Sequence, residues 1–141
     1  MAATASNDCR RKANFTFIWT IENGSFLLVS SFLKSPTLIA KSMEKSNWSL
    51  KVDSVFRTKT LDLLLSREED NGPDNIEIEF ELSIFDTDGS PLGMTAGKET
   101  CTSSHHYWLR LYQDTDVIFF RRRGKFLPND TFTVGCRMWR T

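Results

Sequence analysis

Few residues in this 141-residue chain could do chemistry, and they are poorly arranged for it. The three cysteines, Cys9, Cys101 and Cys136, have no short paired spacing. The two histidines, His105 and His106, are adjacent, so on a strand they would point opposite ways. A structural zinc site needs four spaced ligands, and this set does not provide them. A nucleophile needs a base, and the base needs an orienting group. Cys101 with His105 lacks that third member. The acidic residues show neither the HExxH spacing nor that of a calcium loop. The seven glycines are scattered, so no phosphate-cradling loop is formed. The expectation is a protein that is not an enzyme and uses no cofactor or metal.

Charge narrows the partners. Lys plus Arg and Asp plus Glu number 18 each, giving a formal net charge of zero. Binding to nucleic acid or to a membrane surface draws on an excess of positive charge, so neither partner is expected. The basic run Arg121-Arg122-Arg123-Gly124-Lys125, set among Phe119, Phe120 and Phe126, reads as a solvated turn beside core aromatics. Four Asn-x-Ser/Thr sequons, at Asn14, Asn23, Asn47 and Asn129, read as chance matches in a Ser/Thr-rich chain. Unpaired cysteines and an N-terminus without an apolar segment point to reduced thiols in the nucleus or cytoplasm.

The elements that must position these residues are strands. Phe15, Phe17, Trp19 and Ile21 alternate with polar residues and would share one strand face. Residues 76–85, IEIEFELSIF, put Ile76, Ile78, Phe80, Leu82 and Ile84 on one side and Glu77, Glu79, Glu81 and Ser83 on the other. As a helix, that run would scatter its apolar groups around the axis; as a strand, it has one dry face. Asp86 to Gly89, DTDG, carries turn chemistry. Trp48 to Val52, Leu61 to Leu65 and residues 132–138 alternate as well. In residues 26–39, Pro36 removes a backbone donor and predicts a bulge or a sheet edge. Residues 117–123, VIFFRRR, fit a strand or one helical turn equally well. Seven or eight strands joined by short turns predict an all-β antiparallel sandwich, residues 14–141, behind a disordered tail at residues 1–13. One domain of this length can bury roughly two-thirds of its unfolded surface without metal or disulfide support.

W-T-I-E-N-G-S at residues 19–25 resembles the opening of a MATH domain, the TRAF-like β-sandwich. The resemblance continues in order through residues 35–40, 42–52, 78–89, 106–109 and 126–136, and so spans residues 15 to about 139. It looks most like the MATH domains of speckle-type POZ and TD-and-POZ proteins. The resemblance implies a substrate receptor that holds a short, extended Ser/Thr-rich peptide in a shallow groove across one sheet. Cullin-3 would be engaged only through a BTB domain, which these residues do not contain. Matched by position, Phe80 and Trp108 stand at groove aromatics, while Trp19 and Trp48 serve the core. Tyr107 replaces an acidic residue, Arg110 an aromatic and Asp62 a tyrosine, which shifts the charge preference of the peptide. Gly24 replaces a phenylalanine. Alone, Asn23-Gly24 would predict a tight hairpin, whereas the resemblance implies a longer connection. A second function fits the same fold: an oligomerising TRAF-like domain with a vestigial groove.

Overall fold

In the computed structural model, residues 12–28, 32–55, 57–102 and 109–141 are described. Nine strands run through them: β1 (Phe15–Ile21), β2 (Phe32–Lys34), β3 (Leu38–Ala40), β4 (Ser46–Val55), β5 (Thr60–Arg67), β6 (Asn75–Phe85), β7 (Pro91–Thr102), β8 (Leu109–Asp114) and β9 (Phe132–Arg140). They form two antiparallel sheets, one in the order β1-β9-β6-β7 and one in the order β2-β4-β5-β8, with β3 also pairing β4. The chain is an antiparallel β-sandwich.

Period-two alternation builds the core. Ile76, Ile78, Phe80, Leu82 and Ile84 of β6 are all buried, as are Phe132, Val134, Cys136 and Met138 of β9. From the other sheet, Trp48, Leu50 and Val52 of β4 and Leu61, Leu63 and Leu65 of β5 face them. Trp48 is fully enclosed, and its indole N–H donates to Ser46 Oγ at 2.7 Å, so its one polar atom is satisfied. Trp19 is partly buried against the same core beside Phe15 and Phe17.

Local chemistry explains the irregular parts. Pro36 falls in the gap between β2 and β3, where the edge strand breaks. Ser35 bridges the gap: its N–H donates to Leu50 O at 2.8 Å, and its Oγ accepts from Leu50 N at 2.9 Å. Asn23-Gly24 does not make a hairpin. β1 pairs with β9, and Gly24 opens a 3-10 turn, Gly24–Leu28. A Cβ on Gly24 would meet Leu127 Cδ2 at 2.6 Å, which explains the absence of a side chain there. Residues 117–123, undecided from sequence, are helical: a π-type turn, Val117–Arg121, precedes one α-helical turn, Arg123–Phe126. Strand β7, twelve residues long, has no counterpart among the strands expected from sequence.

Candidate functional site

The outward face of the β2-β4-β5-β8 sheet carries polar side chains in cross-strand rows. Leu61, Leu63 and Leu65 turn inward, so Thr60, Asp62, Leu64 and Ser66 turn outward. Register places Phe32, Asp53, Asp62 and Tyr112 in one row across β2, β4, β5 and β8. The next row is Lys34, Lys51, Leu64 and Arg110. At about 4.8 Å between strands, each row is about 14 Å long.

Aromatic rings stand at both ends of the first row, Phe32 48% and Tyr112 62% exposed. Each has a cation from the second row against it. Lys51 Nζ lies 4.4 Å from the Phe32 ring centroid, and the Arg110 guanidinium carbon 5.1 Å from that of Tyr112. Arg110 Nε also sits 3.0 Å from Asp62 Oδ2. The Arg110 side chain is half exposed, whereas that of Asp62 retains 9% exposure. Asp62 Oδ1 is buried without a hydrogen-bond partner. In the third row, Ser49 Oγ donates to Glu68 Oε1 at 2.9 Å, and Glu68 also pairs with Lys34.

The residues expected from sequence divide into three groups. Asp62 and Arg110 come together on this face as an ion pair. Phe80 is not part of it. It lies on the inward side of β6 with 8% exposure, its ring against Gly97 of β7, where a Cβ would stand 3.2 Å from Cε1 and Cζ. The period-two run from Ile76 to Ile84 forces that orientation, whereas the resemblance places Phe80 at the groove. Tyr107 and Trp108 lie outside the described residues, as does His105. Phe32, Lys51, Asp53 and Tyr112 complete the face, and no motif marks them. Their signal is in the sequence, since inward Leu50 and Val52 turn Lys51 and Asp53 outward, and inward Leu111 turns Arg110 and Tyr112 outward.

The other chemical candidates are structural. Burial pushes the Cys101 thiol up to about 12, with the nearby Glu99 charge adding to the shift, so it does not ionise near neutrality. Burial pushes Cys136 up to about 12 as well. Among the described residues, no three His, Cys, Asp or Glu side chains are grouped to hold a metal ion. The basic run is largely neutralised. Arg121 pairs with Asp116 at 2.6 Å, Lys125 with Asp86 at 3.3 Å and Arg123 with Asp130 at 3.6 Å. Arg122 lies over the buried Phe126 ring, 5.8 Å from its centroid. Phe119 and Phe126 are core aromatics, whereas Phe120, grouped with them from the sequence, is 64% exposed.

The two antiparallel sheets form a TRAF-like β-sandwich fold. The structure is similar to that of TRAF5 from Notothenia coriiceps, with a TM-score of 0.63 over 87% of this chain and 72% of that one at 13% sequence identity. At that identity the likeness establishes the fold. No model of a protein family matches the sequence, and no curated protein does.

Proposed function

We propose that this chain is a peptide-recognition module, the substrate receptor of a cullin-3 ubiquitin-ligase adaptor of the speckle-type POZ kind, acting in the nucleus or cytoplasm. TRAF-like domains mediate contacts between proteins, and the motif blocks between residues 15 and 139 resemble those of MATH domains. The cullin would be engaged by a BTB domain of the same protein. The observation that carries the reading is the row Phe32-Asp53-Asp62-Tyr112: exposed rings flank polar groups on a sheet face turned away from the core. An extended peptide on such a face takes its affinity from aromatic contact and its register from polar groups. Tyr107 and Trp108 immediately precede β8 in sequence, and the proposal retains them as aromatic contacts.

Selection from a random peptide library displayed against the wild-type chain tests this. An extended motif should be enriched. Tyr112→Ala and Trp108→Ala should each weaken it at least tenfold, since truncating a central aromatic contact costs about 2 kcal/mol. Failure to enrich any peptide, together with a stable trimer in light scattering, would replace this reading with the oligomerising one.

A further inference from the structure

The charge on this face is unbalanced in one place, and the imbalance identifies what is missing. Asp53 and Asp62 sit directly opposite one another on β4 and β5. Side chains so placed have Cβ atoms about 5 Å apart, and like charges there oppose pairing. Among the described residues the cation paired here is Arg110, half exposed, at Asp62 Oδ2. Asp53 makes no ion pair among the described residues, and Asp62 Oδ1 is buried without a donor. Of the other cations nearby, Lys34 pairs with Glu68, and Lys51 stands over Phe32 in the neighbouring row. A buried, unpartnered carboxylate oxygen is costly, and the cost falls when a donor reaches it.

We propose that Asp53 and Asp62 receive the lysine or arginine side chain of a bound extended peptide, the apolar stem lying against Tyr112. The inference rests on the peptide-recognition reading and adds the chemical class of the anchoring residue. A basic side chain meets each requirement on the page. It brings a positive charge within reach of both carboxylates, and its N–H groups donate to Asp62 Oδ1. Its methylene stem covers part of the exposed ring beside Asp62. Arg110, held at the surface by Asp62 Oδ2 and the Tyr112 ring, swings aside toward solvent as the ligand cation enters. An anionic or phosphorylated residue at the same point would face two carboxylates and is disfavoured.

The experiment is a degenerate peptide selection on the wild-type chain, followed by fluorescence anisotropy with the enriched peptide. Lysine or arginine should dominate one position of the motif. Asp62→Asn should weaken binding at least tenfold and Asp53→Asn several-fold, each variant keeping the wild-type urea midpoint. Replacing the basic residue of the peptide with glutamine should erase the difference between wild type and Asp62→Asn. An enriched motif without a basic residue, or full affinity in Asp62→Asn, overturns this inference and leaves the peptide-recognition reading standing. Failure to enrich any motif overturns both.

Discussion

Arg67 and Asp70 meet fork to fork beneath the β5–β6 connection. Arg67 Nε donates to Asp70 Oδ2 at 2.9 Å and Nη2 to Oδ1 at 2.7 Å, with the side chains 0% and 1% exposed. The remaining donors of Arg67 are used too. Nη2 reaches Pro73 O at 2.7 Å and Nη1 reaches Cys101 O at 3.0 Å. Asp70 in turn accepts from Asn47 N at 3.0 Å and Gly72 N at 2.9 Å. One ion pair therefore ties together β4, the charged 67–75 loop and the end of β7. Removing one partner strands a buried charge, which typically costs about 3–5 kcal/mol. Asp70→Ala should lower the unfolding free energy by that order in urea titration. Arg67→Met with Asp70→Leu together should recover much of the loss, since neither charge is then left alone.

The same pair contributes stability that is lost in acid. Burial pushes the Asp70 carboxyl upward, but the hydrogen bonds from Arg67, Asn47 and Gly72 outweigh it and hold the group below its ordinary value. A carboxyl depressed in the folded state contributes stability above its unfolded pKa, about 3.9, and loses it as pH falls through the folded value. Unfolding free energy should therefore drop steeply below about pH 4 in wild type. In Asp70→Asn the curve should start lower and fall less over the same range.

Gly135 of β9 is confined by its surroundings. A Cβ there would lie 2.8 Å from Phe17 O, 2.9 Å from Ile18 Cδ1 and 2.9 Å from Phe85 Cε2. One of these contacts is backbone and cannot rotate away. Gly135→Ala should destabilise the sandwich by about 1–3 kcal/mol through overpacking, measured as a lower urea midpoint. Gly124, with nothing within 4 Å of its Cβ position, should accept alanine with little change.

The two buried thiols should be inert. With both pushed up to about 12 by burial, Cys101 and Cys136 have almost no thiolate at neutral pH. An alkylating reagent at pH 7.5 should leave both unmodified in the folded protein, located by peptide mass mapping, and should label both in urea. Rapid labelling of folded Cys101 would reopen a nucleophilic role.

Sequence pattern reveals the fold wherever one face is dry. The run from Ile76 to Phe85 declares itself because five apolar residues alternate with charged or hydroxyl groups, and β6 lies at the centre of its sheet. β7 escapes notice for the opposite reason. It is an edge strand, mostly exposed, and its glycines at 93 and 97 read as loop, although Gly97 is where the Phe80 ring comes to rest. The short helical turns over Val117–Arg121 and Arg123–Phe126 span too few residues to show a period. The site is less legible than the fold. Asp62 and Arg110 are 48 positions apart, and their pairing depends on β5–β8 register, which local pattern cannot specify. For Phe80 the motif position and the strand period point to different places, and the ring lies on the inward face that the period specifies.

Arg110 distinguishes a cation receptor from an ordinary groove wall. The Arg110 side chain is half exposed but that of Asp62 retains only 9%, so Arg110→Ala should cost more than the about 1 kcal/mol of an exposed pair and less than the about 3–5 kcal/mol of a fully buried one. If Arg110 were a contact wall, its loss would weaken the peptide. If it occupies the place of the ligand cation, its loss removes a competitor and leaves Asp53 and Asp62 more negative. The second arrangement predicts tighter binding of a lysine- or arginine-bearing peptide to Arg110→Ala. The gain should shrink as salt is raised from about 0.05 to 0.5 M, because screening weakens exposed charge interactions. Isothermal titration of wild type and Arg110→Ala at both salt concentrations measures the gain and its screening, and weaker binding in the variant at low salt would return Arg110 to the role of a wall.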